Sequence, residues 1–465
     1  MSFSSKSGER FGTVIEKSPY IVEDPLVKIQ YVPKGQNVIF GRSVKGEDYS
    51  NLLYVGKIFE TTRGQSYLGA DAWLDTTFPH VIYITGTRGS GKSFDLGVLV
   101  EGISKLGTPS PIQNNVKPIT SIIIDTQSQF WTLGYAPRET IPANKAQLDE
   151  LRRWNLTPNN LSSVRIYAPP GMTTFLGTEK ILQIRPKDVK TEDWCALLGQ
   201  EVYSPQGHVI TSTIEALRNT DYEITDMLRY IANDAHWPTT AESSRNAISY
   251  KLDDYRRTNL FSANGLSVKD FLAGGVCNIL TLRELRNEDK SLITAVIARN
   301  LFDILGNHHS RKKTASFFQT PFESDGTPDR VWLVIDEAHV VAPSDQISPA
   351  RGALVEYVKR GRDAGLSLVM ATQQPSALDD RILSQVNVTF SHRLSFQSDI
   401  NAVINRIPTK SIGAMKFAGT HLTDFGDMVR VLDAGQCYLG DQASSRTVLL
   451  QIRPRVTAHG GYSPF

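Results

Sequence analysis

The 465-residue sequence has few cysteines, no long apolar run and almost no net charge. Its three cysteines, Cys195, Cys277 and Cys437, lie far apart and form no CxxC pair. This spacing gives no zinc site and favours reduced, buried thiols. No apolar run approaches the ~20 residues that a membrane-spanning helix needs, and the segment MSFSSKSGER lacks the apolar stretch of a secretion signal. We therefore expect a cytoplasmic protein without a membrane segment.

The overall charge of the chain does not indicate which partners it binds. The 50 Lys and Arg residues nearly cancel the 48 Asp and Glu residues, for a formal charge of +2. Any contact with nucleic acid would therefore come from locally placed cations rather than from a field over the whole molecule. One basic cluster, HHSRKK at residues 308–313, follows a helix predicted to end near Gly306. We expect this cluster to form a solvated cap and loop.

Changes in residue pattern along the chain predict four structured regions and a tail. The first region alternates short β-rich runs with Gly, Pro and Asn, which is typical of a small β-barrel or β-sheet domain. Apolar strands then alternate with helices, as in a parallel α/β sheet, and a block of helix-period segments interrupts them. The predicted regions are 1–77 (β-rich domain), 78–186 (first part of the α/β core), 187–264 (inserted helical bundle), 265–452 (second part of the core) and 453–465 (C-terminal tail).

The stretch HVIYITGTRGSGKSFDLGVLVEG, residues 80–102, contains a phosphate-binding motif. Residues 86–93 satisfy GxxxxGK[ST] between an apolar strand and an amphipathic helix. Such a loop wraps its backbone around phosphates, whose charge faces the helix N-terminus. Lys92 would reach the β and γ phosphates, and Ser93 would bind Mg²⁺. The sequence therefore predicts an ATP site formed by Gly86, Arg88, Gly89, Ser90, Gly91, Lys92, Ser93 and Phe94.

A second motif, WLVIDEAH at residues 332–339, places two acids at the end of an apolar strand. The carboxyl ends of strands are where open α/β sheets hold their ligands. We expect Asp336 to hold Mg²⁺, directly or through water, and Glu337 to polarise the attacking water. ATP hydrolysis, rather than nucleotide binding alone, is therefore predicted. For His339, a coupling role and a packing role are both open.

The segment LSLVMATQQPS, residues 366–376, is another apolar strand that ends in polar residues. We expect it beside the strand of Asp336, with Thr372 and Gln373 at the phosphate edge. Gln373 is the candidate sensor of the γ-phosphate. A purely structural amide at the strand end is the alternative.

Cations crowd the end of the helix in EYVKRGRDAG, residues 356–365. The helix dipole is a sufficient explanation for one or two of them. ATP hydrolysis also gains from a guanidinium placed on the transferring phosphoryl group, and ring ATPases take this arginine from a neighbouring subunit. Arg362 is the first candidate for an arginine acting in trans, followed by Arg360 and by Arg393 in SHRLSF. A purely structural Arg362 stays open.

With these motifs in order, the chain resembles the HerA branch of the FtsK/HerA motor ATPases. The matching segments are PHVIYITGTRGSGKSFDLGVLVEG, IIIDTQSQF, WLVIDEAHVVAP and KRGRDAGLSLVMATQQPSALDDRILSQVNVTFSHRL, between residues 79 and 394. The resemblance implies a RecA-like P-loop ATPase core with a mainly parallel sheet, a small barrel-like N-terminal domain and an inserted helical bundle. It also implies a homohexameric ring that uses ATP and Mg²⁺ for translocation of double-stranded DNA or for helicase activity.

Members of this family work with a protein partner. The resemblance implies a NurA-type nuclease in DNA end resection, or a nuclease or sirtuin-like NAD-consuming enzyme in antiphage defence. The compact N-terminal module favours a bacterial, defence-associated member. Relatives often carry an acidic residue where this chain has Gln129. A catalytic role for Gln129 is therefore unsupported. Because the C-terminal stretch of relatives crosses a subunit boundary, Arg453 and Arg455 would touch a neighbour's nucleotide, unless they face solvent at a frayed terminus.

Three functions therefore stay open. The leading hypothesis is a hexameric DNA-translocating ATPase that works with a nuclease or a NAD-consuming effector. The second is an assembly scaffold whose nucleotide site controls an effector without processive DNA movement. The third is an ATPase of the conjugation or secretion type.

Overall fold

The computed structural model describes residues 20–22, 37–42, 49–62, 65–172, 176–408, 415–417 and 420–460. The strands of these residues are β1 (Tyr20–Val22), β2 (Asn37–Phe40), β3 (Leu52–Thr62), β4 (Gln65–Asp75), β5 (Val81–Thr85), β6 (Gln113–Asn114), β7 (Thr120–Asp125), β8 (Val164–Ala168), β9 (Lys180–Ile181), β10 (Cys277–Thr281), β11 (Val331–Ile335), β12 (Leu366–Thr372), β13 (Val388–Ser391), β14 (Met415–Phe417), β15 (Thr420–Leu422), β16 (Gln436–Asp441) and β17 (Arg446–Ile452). The α-helices are α1 (Lys92–Ile103), α2 (Lys145–Arg153), α3 (Thr191–Leu197), α4 (Pro205–Leu217), α5 (Ile224–Ala232), α6 (Glu242–Thr258), α7 (Asn287–Phe317), α8 (Ala338–Val341), α9 (Pro349–Arg360), α10 (Asp380–Leu383), α11 (Gln397–Ile404) and α12 (Phe425–Arg430).

A parallel sheet forms the core, with strand order β13-β5-β12-β11-β7-β10-β8-β9. Strands β7, β11 and β12 are buried at every residue. Their nearly continuous apolar sequences are typical of parallel strands that are covered on both faces. The predicted α/β class with a mainly parallel sheet is confirmed.

The N-terminal strands continue this sheet instead of standing apart from it. β16 pairs antiparallel with β13, and β17 pairs antiparallel with both β16 and β3, where Leu450 lies opposite Ile58. β3 and β4 form a long antiparallel hairpin, and β2 pairs with β4. A closed barrel is not confirmed, and much of the predicted region 1–77 lies outside the described residues.

Helices α3 to α6 lie between β9 and β10, within the predicted helical insertion at residues 187–264. Met227 and Ile231 of α5 are buried, as are Ile248 and Leu252 of α6. Their spacing of four residues gives each helix one apolar face. The division of the chain into domains at the boundaries given above stays a prediction.

Helix α7 corrects the prediction for the basic cluster at residues 308–313. This cluster lies inside the helix, which continues past Gly306 to Phe317. One glycine in a helix interior costs only about 1 kcal/mol, and the Arg, Lys and Ala residues that follow are good helix formers. His308 is buried, and its Nε2 lies 3.1 Å from Oδ1 of Asp329.

Two expectations from the composition can be compared with the structure. Cys195, Cys277 and Cys437 are all free and buried, as predicted, and burial raises the pKa of the Cys277 thiol to about 12. Among the residues that the structure describes, no helix is both long enough and apolar enough to cross a bilayer.

The chain after β17 is anchored by a buried carboxylate. We call residues 453–460 the C-terminal strap. Glu101 of α1 is fully buried, and its carboxylate oxygens lie 2.8 Å from Nη1 of Arg453 and 3.4 Å from Nε of Arg455. The backbone amides of Val456 and Thr457 donate to the same carboxylate at 3.2 and 2.9 Å.

Arg453 also connects the N-terminal strands to the P-loop helix. Its Nε donates to the carbonyl oxygen of Tyr54 in β3 at 2.8 Å, and its Nη2 donates to that of Val98 in α1 at 2.9 Å. Both strap arginines are at most 1% exposed. The predicted exposure of these arginines to solvent is therefore wrong, and so is their predicted contact with a neighbour's nucleotide, because their guanidinium groups are enclosed by their own chain.

We expect Glu101→Ala to lower the free energy of unfolding by about 3–5 kcal/mol, because it leaves two buried guanidinium groups without their carboxylate. Urea denaturation followed by circular dichroism measures this loss. Glu139→Ala is the matched control. The Glu139 side chain is 76% exposed and pairs with Arg152 at the surface, so the unfolding midpoint should barely move. Equal midpoints for the two variants would contradict an anchoring role for Glu101.

Candidate functional site

The P-loop connects β5 to α1, as predicted, and its glycines are required by backbone geometry. Gly89 and Gly91 have φ angles of +77° and +120°, which side-chain-bearing residues rarely adopt. A Cβ atom on Gly86 would lie 2.3 Å from Oγ of Ser90 and 2.7 Å from Cβ of His392. The loop therefore closes tightly, with the N-terminus of α1 at its end.

Lys92 and Ser93 begin helix α1 and face the acids of the neighbouring strands. Lys92 is 5% exposed, and its Nζ donates to the carbonyl oxygen of Thr87 at 2.9 Å. Burial lowers the pKa of Lys92, and the charges of Glu337 and Asp336 oppose this shift. The hydroxyl of Ser93 donates to Oδ1 of Asp336 at 3.3 Å. The structure thus brings the two motifs together, as the sequence predicts.

Asp336 directly follows β11 and is fully buried. Burial, together with the negative charges of Asp125 and Glu337, raises the pKa of this carboxyl group to about 8. Its Oδ2 atom is buried without a hydrogen-bond partner among the described residues. Carboxylate and hydroxyl oxygens are the ligands that Mg²⁺ takes in phosphate sites. Asp336 and Ser93 therefore fit a Mg²⁺ site.

Glu337 is held in place by the end of β12. It has a left-handed backbone, with a φ angle of +53°, and is 4% exposed. Both amide groups of Gln373 donate to its carboxylate, the backbone one at 3.2 Å. Nδ1 of His339 lies 3.5 Å from the carboxylate and 3.0 Å from Oγ1 of Thr372. Gln373 and His339 are thus both placed beside Glu337, and their roles as sensor or structural group stay predictions.

The candidate arginines lie at two different edges of the sheet. Arg362 precedes the first residue of β12, whereas Gln373 follows the last, and a seven-residue strand is about 20 Å long. Arg362 is therefore remote from its own P-loop. It lines a cavity of 870 Å³ together with Arg42, Phe78 and Tyr357.

Arg360 and Arg393 have different surroundings. The guanidinium group of Arg360 lies over the ring of Phe302, 4.8 Å from its centroid. Arg393 lies beside its own P-loop, where its carbonyl oxygen accepts a hydrogen bond from the amide of Thr87 at 2.8 Å. The side chains of Arg393 and Arg88 are both exposed at this edge.

Asp125 is a third acid at the same edge, and the motif search missed it. It ends β7, and its carboxylate accepts hydrogen bonds from the backbone amides of Gln127, Gln129 and Phe130 at 3.2, 3.1 and 3.0 Å. Burial raises the pKa of Asp125 to about 6 against these hydrogen bonds. The sequence signal was an acid directly after the apolar run SIII. Gln129 contributes its backbone amide to this arrangement.

A buried pair, His392 with Asp95, supports the P-loop, and the sequence did not indicate it. Nε2 of His392 lies 2.7 Å from Oδ2 of Asp95 in α1, and Nδ1 lies 2.9 Å from the carbonyl oxygen of Gln436. Both side chains are at most 2% exposed. Since 297 positions separate the two residues, no local pattern relates them.

Comparison with known proteins gives matches to the family of the helicase HerA central domain. The family model for the helicase HerA central domain matches residues 54–301, more than half of the chain. The DNA double-strand break repair helicase HerA of Sulfurisphaera tokodaii is 25% identical over 147 residues, which cover 31% of this chain and 28% of that protein. The protein of the same name from Saccharolobus solfataricus is 21% identical over 201 residues, covering 42% and 35%. The chain thus spans about a third of the length of these relatives.

Solved structures resemble the chain over most of its length. The bacterial conjugative coupling protein TrwBdeltaN70, in its unbound monoclinic form, aligns with a TM-score of 0.51 at 12% identity and covers 96% of this chain and 98% of that chain. VirB4 of Thermoanaerobacter pseudethanolicus aligns with a TM-score of 0.50 at 14% identity, covering 87% and 97%. At these identities the similarity shows the fold alone, and it confirms the predicted RecA-like P-loop core.

We expect His392→Ala to lower the free energy of unfolding by about 3 kcal/mol or more, because it leaves the Asp95 carboxyl group buried without its partner. Asp95→Asn is the comparison variant, since its amide retains a hydrogen-bonding group for the imidazole, and it should be milder. Urea denaturation of the two variants measures the difference. If both unfold at the wild-type midpoint, the pair does not support the P-loop.

Proposed function

The chain belongs to the family of the helicase HerA central domain, and we propose on this basis that it is an ATP-hydrolysing motor that moves double-stranded DNA. The observation that supports this function most strongly is the convergence of Lys92, Ser93, Asp336 and Glu337 at one edge of the sheet. This set combines a phosphate-binding cation, a metal-binding pair and a buried base. Binding of nucleotide alone would not need the base.

Each side chain has a defined part in the proposed hydrolysis. Lys92 contacts the phosphates, while Ser93 and Asp336 hold Mg²⁺, which supplies positive charge to the phosphate oxygens. Glu337 accepts a proton from the attacking water. The backbone amide of Gln373 holds Glu337 in position at 3.2 Å. Because Gln373 contacts this base and directly follows β12, it is also placed to report the γ-phosphate to that strand.

Arg362 is the proposed arginine in trans. It lies at the opposite end of β12 from its own P-loop and is exposed. An arginine at that edge can contribute to a nucleotide site only in a neighbouring subunit. We propose that the neighbour belongs to a homohexameric ring in the cytoplasm. Arg393 is close to its own P-loop, so it would act in cis.

The proposed function also includes a protein partner. A motor of this family would act with an effector, either a nuclease or a NAD-consuming enzyme of the sirtuin type, in antiphage defence or DNA end processing. The shared fold of conjugation proteins does not distinguish a DNA motor from a scaffold or a secretion ATPase. Stimulation of ATP hydrolysis by double-stranded DNA separates the motor from the other two.

We expect wild-type protein to hydrolyse ATP with Mg²⁺ and to do so faster with double-stranded DNA. Lys92→Ala should abolish turnover, and Glu337→Gln should lower it at least about 100-fold, because it removes the general base. Phosphate release measured with and without DNA tests this, with Lys105→Ala, which replaces an exposed lysine just after α1, as the control. Wild-type turnover in Lys92→Ala would refute the site, and turnover that DNA does not change would favour the scaffold.

Mixing inactive subunits tests whether Arg362 acts in trans. Arg362→Ala and Glu337→Gln are each expected to be inactive alone, whereas a mixture should recover activity. The reason is that an Arg362→Ala subunit beside a Glu337→Gln subunit forms an interface with both groups intact. The double variant, which carries both Arg362→Ala and Glu337→Gln, is the negative control when it is assayed alone. Arg360→Ala should hydrolyse ATP without being mixed with another variant. No recovery in mixed assemblies would contradict the role of Arg362 in trans, and a monomer at all concentrations with nucleotide would contradict the ring.

A further inference from the structure

The C-terminal strap ends at the first turn of the P-loop helix. The ring of His459 packs edge to face against Phe94, with the ring centroids 5.4 Å apart and the planes at 74°. Phe94 directly follows Ser93, the last residue of the phosphate-binding motif. Both rings are half-buried, so each keeps part of its surface exposed at the nucleotide edge.

Hydrogen bonds along the strap fix the position of His459. The side-chain amide of Gln147 donates to the carbonyl oxygens of Arg455 and Thr457 at 2.8 and 2.6 Å. The amide of Ala458 donates to the carbonyl oxygen of Tyr135 at 2.8 Å. A group held in this way before a ligand arrives loses little freedom on binding.

The next residue of the strap lies directly on the segment that follows β7. A Cβ atom on Gly460 would lie 2.6 Å from the carbonyl oxygen of Gln129, so only glycine fits this close approach. The segment of Gln129 is held in turn by the Asp125 carboxylate. The strap therefore contacts both the P-loop helix α1 and the segment that follows Asp125. His459 lies between these two contacts.

The chemistry of the His459 ring is defined by Arg455. Nη1 of Arg455 lies 3.1 Å from Nδ1 of the imidazole, and a guanidinium group can only donate, so Nδ1 accepts. The ring proton is then on Nε2. Burial, with the positive charge of Arg455, lowers the pKa of His459 to about 3, so the imidazole is neutral at physiological pH.

We propose that Phe94 and His459 form the docking surface for the purine base of the bound nucleotide. The inference rests on the proposed function, because it assumes that the phosphates occupy the P-loop. With the phosphates at Gly89–Ser93, the ribose and base leave the loop along its rim, and Phe94 is the first side chain beyond it. Aromatic rings stack on bases, and the Nε2–H group of His459 suits a ring-nitrogen acceptor of a purine.

Two probes distinguish base recognition from phosphate binding. ATP contains the base, whereas inorganic tripolyphosphate contains only the phosphate chain. Isothermal titration calorimetry with Mg²⁺, on the full chain carrying Glu337→Gln to suppress ATP turnover, should show that His459→Ala weakens ATP binding about tenfold, the order of magnitude of one base stack. Tripolyphosphate binding should not change. His459→Phe keeps an aromatic ring and should recover most of the affinity for ATP.

His236→Ala is the matched control. His236 also stacks on an aromatic ring, that of Tyr230, with centroids 4.1 Å apart, but it lies in the helical insertion. Its substitution should leave the binding of both probes unchanged. Thermal melting of each variant checks that the strap still folds.

The possible outcomes separate the two proposals. If Lys92→Ala binds both probes as tightly as wild type, the nucleotide site itself is wrong. If Lys92→Ala loses both probes while His459→Ala binds ATP like wild type, only the base assignment fails. Equal weakening of ATP and tripolyphosphate by His459→Ala would also overturn it, because the strap would then act on the P-loop and not on the base.

Discussion

The structure depends on the concentration of buried negative charge at one edge of a parallel sheet. Asp125 is the last residue of β7, Asp336 and Glu337 directly follow β11, and all three are at most 4% exposed. Burying one unpaired charge costs several kcal/mol, so three acids at a single edge need compensation. Lys92 is a buried cation that faces Asp336 and Glu337, and the amides after β7 and β12 supply hydrogen bonds. Burial raises the pKa values of Asp125 and Asp336, and a cation bound at this edge would favour their ionised forms.

The antiparallel half of the sheet holds the P-loop against this strongly charged edge. The amide of Gly435, just before β16, donates to the carbonyl oxygen of Ser90 at 3.2 Å. His392, at the end of β13, contacts the loop and pairs with Asp95 one turn into α1. The strap pairs with Glu101 two turns further along the same helix. Helix α1 is thus fixed along its length by residues from the last quarter of the chain.

The sequence was most informative where the determinants are local. A strand, a glycine-rich turn and a helix read in order predict the P-loop, and an acid after an apolar run predicts Asp336 and Glu337, because each pattern is continuous in the sequence. The pairing of β3 with β17 joins residues almost 400 positions apart, and no local pattern specifies it. The predictions for Arg453 and Arg455 of the strap were wrong for the same reason. Their environment depends on Glu101, a single acid inside the otherwise apolar run LGVLVEGI. An acid in such a run indicates a buried carboxylate that needs a cationic partner, and this was the one signal in the sequence.

The two edges of the sheet also restrict how subunits could combine. The acids lie at the carboxyl ends of the strands, and Arg362 lies before the amino end of β12, so a complete site that uses Arg362 joins unlike edges of two chains. In a ring such a contact is heterologous, because one edge of each chain meets the opposite edge of its neighbour. Head-to-tail contacts continue until a ring closes or a filament grows. A trans arginine at this position is therefore compatible with a ring or a filament, and of the two only a closed ring gives every nucleotide site its arginine.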